Sequence, residues 1–290
     1  MANKLPDNIR TRFAPSPTGF LHLGHVASAI FVWGIAQKYQ GCVLLRIEDH
    51  DQTRSRPEYV ESILADLEWL GFRHEGAVST QSDHVERYEE AFEKLRSSGR
   101  IYRCACSRKH LKQRSGQVSG VLKYDNFCRH REIHDKAAAW RLIVEPGQYE
   151  YIDFAAGAQR GLYSDYGDFV LVDKNQCYSY LFAVVCDDIE DGINLVIRGD
   201  DILNSTGRQL YLWNQLAPDS KTPLFWHHPL IVDASNKKLS KRNFSEGIYK
   251  RRQSGEAKEV LLGEAAYLVG LQSENLPLDP SQIGELFEDG

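Results

Sequence analysis

The sequence predicts an α/β protein: a doubly wound parallel sheet, interrupted by an insertion with metal-type cysteines and followed by a short helical C-terminal part. Three observations predict it. The chain opens with a strand–loop–helix–strand unit. Apolar strand and helix signals return between residues 168 and 216. Residues 100–165, between the two, hold clustered cysteines, a Gly/Ser-rich stretch at 115–120 and only short β-like pieces.

Residues 9–13 alternate and read as a strand. Pro15 and Pro17 then hold the chain in an extended, irregular loop. From Gly24 the apolar residues Val26, Ala29, Ile30, Trp33 and Ala36 recur at helical spacing, and Gly41 ends the run. Residues 42–47 are a short, mostly apolar strand. A parallel pair joined through a helix is right-handed, and such sheets bind ligands beyond the carboxyl ends of their strands. The loop from Ala14 to Gly24 and the carboxylates Glu48, Asp49 and Asp51 fall at those ends. A second helix follows Pro57, with Val60, Ile63, Leu64, Leu67 and Leu70 as its core face and Gly71 as its stop. A third is expected to start at Asp83, where Glu86 three residues later would complete a capping box; Val85, Tyr88, Phe92 and Leu95 form its apolar face. Residues 168–173 and 181–186 read as a return to the main sheet, 195–198 as a central strand ending in polar residues, 206–216 as a helix and 256–271 as a terminal helix. The expected division is 1–100 and 166–235 for the two halves of the sheet domain, 101–165 for the insertion, and 236–290 for a basic loop with a helical region.

Hydrophobic residues make up 42% and charged residues 26% of the 290, a balance ordinary for a soluble globular protein. No apolar run approaches the roughly 18 residues that span a bilayer, and the N-terminus lacks the apolar core of a signal peptide. A cytoplasmic location is expected, with no membrane partner. The net charge of −5 excludes a non-specific nucleic-acid binder. It leaves room for RNA at a local basic surface, for which Arg108, Lys109, Lys112, Arg114, Arg129, Arg131 and the run Lys250, Arg251, Arg252 are candidates. Cys42, Cys177 and Cys186 lie in apolar contexts and read as core thiols. Cys104, Cys106 and Cys128 cluster, which in a reducing compartment suggests a metal rather than a disulfide. Three thiolates want a fourth ligand, usually histidine, and His110, His130 and His134 are close by.

A loop that lets a nucleotide's phosphates approach the backbone needs small residues, a helix N-terminus and hydrogen-bond donors. Thr18-Gly19-Phe-Leu-His22-Leu-Gly24-His25 supplies all three. Taken alone, His-x-Gly-His is a weak signal and equally describes a helix cap with two surface histidines.

The longer segment Arg12-Phe-Ala-Pro-Ser-Pro-Thr-Gly-Phe-Leu-His-Leu-Gly-His25 and the later Lys238-Leu-Ser-Lys241-Arg242 resemble the HIGH and KMSKS signatures of class I aminoacyl-tRNA synthetases. The first has the glutamyl form; the second departs at Leu239 and Arg242, where glutamyl-type enzymes vary. Over nearly its whole length the chain resembles the glutamyl-queuosine tRNA(Asp) synthetases, a truncated branch of the glutamyl enzymes. The second signature is followed by only about 50 residues, which leaves no room for an anticodon-binding domain. The resemblance implies a Rossmann-type catalytic domain. It implies ATP binding by Thr18, Gly19, His22, Gly24, His25, Lys238, Ser240 and Lys241, with Mg2+ accompanying the ATP. His22, His25 and Lys241 would stabilise charge as the glutamate carboxylate attacks the α-phosphate. Arg12, Ala14, Ser16, Glu48, Tyr180 and Arg198 would bind L-glutamate, Arg12 taking a carboxylate and Glu48 lying near the α-amino group. Cys104, Cys106, Tyr124 and Cys128 would hold a structural Zn2+, with tyrosine in the place a histidine would usually take. The implied activity is ATP-dependent, tRNA-independent activation of glutamate, then transfer to the queuosine base in the anticodon of tRNA(Asp), by a monomer. The alternatives are a truncated glutamyl-tRNA synthetase charging a 3′ end, and a non-catalytic tRNA-binding paralogue.

Overall fold

The computed structural model describes residues 4–114, 117–118, 121–231 and 247–287. Its elements are β1 (Arg10–Phe13), α1 (Leu23–Lys38), β2 (Cys42–Ile47), α2 (Pro57–Leu70), β3 (Ser79–Thr80), α3 (Val85–Ser97), β4 (Ile101–Cys104), α4 (Arg108–Arg114), β5 (Gln117–Val118), β6 (Val121–Leu122), β7 (Ala139–Leu142), β8 (Gln148–Asp153), β9 (Gly157–Leu162), β10 (Phe169–Val172), α5 (Tyr180–Glu190), β11 (Leu195–Gly199), α6 (Thr206–Leu216), β12 (Leu224–His228), α7 (Ile248–Gln253) and α8 (Lys258–Leu268).

The parallel sheet has a visible point of reversal. β1 pairs in parallel with β2, and β2 with β3. On the other flank β11 pairs in parallel with β12 and β12 with β8, and β9 closes the edge antiparallel to β8. Asn194 joins the flanks: its N–H donates to the Arg10 carbonyl at 3.0 Å, and its Oδ1 accepts from the Arg10 N–H at 2.9 Å. The chain therefore runs outward in both directions from β1 and β11, and a crevice opens beyond their carboxyl ends. Arg12 and Arg198 stand at those ends.

Helix α1 is more central than its periodicity suggests. Eleven of its sixteen residues are buried, on every face, as expected of a helix enclosed by protein. It packs between the sheet and the C-terminal segments, in a core that includes Ile30, Ile35, Leu45, Ile63, Leu261 and Ile283. Truncating one such buried Ile or Leu to Ala costs about 2–5 kcal/mol.

The structure corrects three expectations. Residues Phe169–Val172 do not return to the main sheet: β10 pairs antiparallel with β7, which pairs antiparallel with β4, making a second sheet. α3, α5 and α6 cover it in a separate core. The capping box at Asp83 and Glu86 does not form, because residues Gln81–His84 take a 3-10 turn and α3 starts at Val85 without a side-chain cap. Of the three cysteines read as core thiols only Cys186 is buried; Cys42 and Cys177 are half-buried, Cys42 as the first residue of β2 and Cys177 in the loop before α5.

Candidate active site

The N-terminus of α1 is built from the two histidines. His22 is the N-cap and accepts the Gly24 N–H on Nδ1 at 3.1 Å. His25 reaches back and accepts the His22 N–H on its own Nδ1, also at 3.1 Å, and the ring centroids lie 3.9 Å apart. A neutral imidazole that accepts on Nδ1 carries its proton on Nε2, so both rings turn an N–H donor away from the cap. The first turn of α1 has no acidic residue, leaving the positive end of the helix dipole uncompensated by its own side chains. A Cβ on Gly24 would stand 3.0 Å from His22 Cε1 and press on that ring. The capping and functional readings of this motif are thus compatible: Nδ1 of each ring holds the helix, and Nε2 carries the proton. The preceding loop is fixed by the Glu48 N–H to the Pro15 carbonyl (3.0 Å) and the Arg56 N–H to the Pro17 carbonyl (3.1 Å). Within it Ala14, Thr18 and Gly19 are half-buried and Ser16 is exposed. Lys238, Ser240 and Lys241 lie outside the described residues. The chain re-enters beside the histidines, where the Ile248 N–H donates to the Leu21 carbonyl at 2.9 Å.

Arg12, Glu48, Tyr180 and Arg198 converge at the crevice. Arg12 is 4% exposed and donates Nε to Asp188 Oδ1 of α5 at 3.0 Å. Arg198 is 6% exposed and donates to three groups: Nε to His227 Nε2 (2.9 Å), Nη1 to Gln209 Oε1 (2.5 Å) and Nη2 to Thr206 Oγ1 (2.7 Å). His227 Nδ1 lies 2.5 Å from Asp153 Oδ2. Because Nε2 accepts from arginine, the His227 proton sits on Nδ1 and is donated to the carboxylate. Burial pushes the His227 pKa down, against the pull of Asp153. Tyr180 opens α5; burial and the Glu48 charge push its phenol up, while Arg198 and Arg12 pull the other way, so all four side chains share one field.

Behind Arg12 lies a charge web that the sequence did not announce. Arg46 is fully buried and meets Asp188 at 2.6 Å, Asp191 at 2.9 Å, Asp187 at 3.6 Å and Glu48 at 3.8 Å. Asp188 is shared between Arg12 and Arg46. Burial would raise its pKa, but the two guanidinium groups outweigh this and hold it below the ordinary carboxylate value. Glu48 goes the other way: burial pushes it up to about 7, although Arg46 and Arg12 oppose, and Asp188 and Asp187 add to the rise. Its Oε1 has no hydrogen-bond partner among the described residues. Sequence reasoning missed Arg46, Asp187, Asp188, Asp191, Asp153, His227 and Gln209. A signal existed for the first three: a charge inside the apolar strand 42–47 and two aspartates inside the apolar helix 180–190 need partners if buried.

The cysteine cluster forms at the end of β4. The sulfurs of Cys104, Cys106 and Cys128 all lie within 4.8 Å of one another. The Tyr124 hydroxyl is 3.3 Å from Cys104 Sγ and accepts the Cys128 N–H at 2.9 Å. Arg114 Nη2 donates to Cys106 Sγ at 3.1 Å, and the Arg141 guanidinium lies 3.7 Å over the Tyr124 ring. Burial works against ionising Cys104, but Arg141 and the Tyr124 hydroxyl outweigh it and hold the thiol below its ordinary value. Three sulfurs beside a phenol oxygen form a donor set that could hold a metal ion. His110, His130 and His134 are exposed and outside the cluster.

A helix N-terminus capped by two histidines, at the reversal point of a parallel sheet lined by buried arginines, is the arrangement of a class I aminoacyl-tRNA synthetase catalytic domain. The family of class I tRNA synthetases (E and Q), catalytic domain, matches residues 8–276, and the chain belongs to that family. A glutamyl-Q tRNA(Asp) synthetase from Symbiobacterium thermophilum is 34% identical over 297 residues, covering 96% of this chain and 91% of that relative. A glutamate–tRNA ligase from Legionella pneumophila is 37% identical over 269 residues, and there the match covers 91% of this chain but 56% of the relative. The crystal structure of a glutamate tRNA ligase from Elizabethkingia meningosepticum, in complex with its amino acid, has the same fold, with a TM-score of 0.76 at 24% identity over 96% of this chain and 64% of that one. These relatives are ligases. No helix among the described residues is long and apolar enough to cross a membrane.

Proposed function

We propose that the chain activates L-glutamate with ATP, without RNA bound, and transfers the glutamyl group to the queuosine base of tRNA(Asp), acting as a cytoplasmic monomer. The observation that carries the amino-acid half is the pair of buried arginines, Arg12 and Arg198, facing Glu48 and Tyr180. Arg12 spends Nε on Asp188, and among the described residues its terminal nitrogens make no further bond; they suit a substrate carboxylate. Glu48 accepts the α-ammonium group, which supplies the hydrogen-bond partner that Oε1 lacks among the described residues. Ala14 and Ser16 line the approach, and Tyr180 and Arg198 close the pocket. Glutamine would set an amide where the buried guanidinium needs a charge, so glutamate is favoured.

An oxygen of the glutamate α-carboxylate attacks the α-phosphorus, and the bond to pyrophosphate breaks. His22 and His25 donate from Nε2 to phosphate oxygens as charge builds, and the loop at Thr18, Gly19 and Gly24 admits the phosphates to the backbone. Lys238, Ser240 and Lys241 complete the phosphate site. Mg2+ arrives with ATP and neutralises phosphate charge. Cys104, Cys106, Tyr124 and Cys128 would hold a Zn2+, which would shape the neighbouring segment rather than react.

The acceptor assignment is supported by the match to 91% of the glutamyl-Q relative. The test is transfer of labelled glutamate to tRNA(Asp) with queuosine, tRNA(Asp) without it, and tRNA(Glu). Label on queuosine-bearing tRNA(Asp) alone is expected. Label on tRNA(Glu) that disappears when its 3′ end is blocked would favour the second reading, 3′-end charging, to which the 37% identity with a glutamate–tRNA ligase points.

A further inference from the structure

A cavity of about 360 Å³ is lined in part by Tyr180. Tyr180 also feels Glu48, Arg12 and Arg198, so this ring belongs both to the cavity and to the group of side chains at the crevice. Tyr124, Tyr166, Arg141 and Arg208 line the cavity as well, with Asp168, which is paired with Arg129. The Tyr124 N–H donates to the Tyr166 carbonyl at 2.9 Å. Gly167, at φ 69°, permits this approach, because a Cβ there would collide with the Tyr124 carbonyl.

Arg208 and Arg141, like Arg198, differ from the arginines that pair with carboxylates. Arg46, Arg12 and Arg129 are each paired with carboxylates. Arg208 stands 4.8 Å over the Tyr166 ring, donates Nη2 to Ser205 Oγ at 3.2 Å, and leaves its buried Nε without a partner. Arg141 stacks on Tyr124, donates Nη1 to the Asp168 carbonyl at 2.6 Å, and also leaves Nε without a partner. Among the described residues neither makes an ion pair with a carboxylate. Two guanidinium groups, each laid on an aromatic ring and each with an unused donor, fit a planar ligand that carries acceptor atoms. The cavity has the size of a single small-molecule site and is too small for a strand. Its rim includes Leu111 of α4, a helix whose exposed residues include Arg108, Lys109, Lys112 and Arg114. That positive rim suits a phosphate backbone arriving with the ligand.

We propose that this cavity receives one unstacked nucleoside of the acceptor RNA, its base held by Arg208 and Arg141 and its reactive substituent directed past Tyr180 toward the activated amino acid. Aromatic and guanidinium faces are the usual platform for a splayed base. The inference rests on the glutamyl-transfer reading; the nucleoside could come from the anticodon or from the 3′ end, and both share this chemistry.

Arg208→Met separates the steps. With ATP and glutamate saturating, KM for queuosine-bearing tRNA(Asp) should rise about 10- to 100-fold, the size of one lost charge-assisted hydrogen bond. Glutamate-dependent ATP–pyrophosphate exchange, which precedes RNA binding, should stay within about twofold, a change too small to represent a lost hydrogen bond. Arg208→Lys, which keeps the charge and loses the fork, should show the same split at smaller size. An unchanged KM for tRNA in both variants overturns the proposal, as does a loss of exchange as large as the loss of transfer. If the wild-type protein charges tRNA(Glu) instead, the acceptor reading fails, and the same variants are assayed on that tRNA. A raised KM there retains the cavity with a 3′-terminal nucleoside, and an unchanged one removes it. If the wild-type protein transfers to neither, filter-binding Kd for the three tRNAs replaces KM, with unchanged Kd in the variants as the contrary result.

Discussion

The two walls of the proposed glutamate pocket hold their arginines by opposite means. On the β1–β2–α5 wall, Arg12 and Arg46 are embedded among the carboxylates Asp188, Asp187, Asp191 and Glu48. On the β11–β12–α6 wall, Arg198 is held by neutral acceptors: Thr206, Gln209 and the unprotonated nitrogen of His227. The first wall cancels most of its charge internally, and of Arg12 only Nε is spent on it, at Asp188. The second keeps its positive charge uncompensated at close range, since Asp153 touches Arg198 only through His227. A buried cation without an adjacent anion is costly, and a substrate carboxylate is what offsets that cost. The comparison points to the first wall as the main source of stability and to the second as the main source of affinity for the proposed substrate carboxylate.

Removing the charge from the neutral wall should have the largest effect. Arg198→Met is expected to lower kcat/KM for glutamate in ATP–pyrophosphate exchange by about 10²- to 10⁴-fold, because a site built to pair a carboxylate loses its partner, while urea unfolding should show an unchanged or raised midpoint. A large loss of stability would reverse the division of labour. Next in size, Asp188→Asn leaves Arg12 and Arg46 short of their shared anion. Breaking a buried pair of this kind costs about 3–5 kcal/mol, read as a lowered urea midpoint. Since Asp188 is held below its ordinary pKa, its contribution is present above the unfolded value and fades as pH falls through the folded one.

A subtler change on the neutral wall acts through His227. In Asp153→Asn an amide N–H can face Nδ1, drawing the proton to Nε2 and turning a donor against Arg198 Nε. KM for glutamate should rise about tenfold with KM for ATP unchanged; an equal rise in both would mean general loosening. The smallest effect is a pH dependence. Glu48 is pushed up to about 7 from 4.5, so the folded protein binds more protons than the unfolded chain across that window. Stability therefore falls as pH rises through it. Glu48→Gln should remove this slope, giving a melting-temperature difference between variant and wild type that grows from pH 5 to pH 7. A constant difference would contradict a burial-raised pKa at Glu48.

The sequence made local structure readable and left pairing hidden. The residues of β1, α1, β2, α2 and α6 follow from alternation, helical spacing and flanking glycines or prolines, which are local properties. Residues 169–172 look like any apolar strand, and nothing in them says that the partner is β7 rather than the main sheet. Asp83 and Glu86 have the right spacing for a capping box, but Gln81 is drawn inward to Asp187, 2.8 Å away, and the chain there takes a 3-10 turn. Arg12, Glu48, Tyr180 and Arg198, grouped by the resemblance, do stand together at the crevice. Their supports were not readable, because Arg46–Asp188, Arg198–His227 and His227–Asp153 each join residues far apart in the chain. A charge inside an apolar run, as at Arg46 and Asp187–Asp188, is the one trace such a web leaves in the sequence.

The most direct test of the central claim is ATP–pyrophosphate exchange by the purified protein in the absence of any tRNA, with glutamate, glutamine and aspartate in parallel. Exchange with glutamate alone is the predicted result, because the arginine pocket is assembled without RNA. Exchange that appears only after tRNA is added, or that proceeds equally with glutamine, would contradict it.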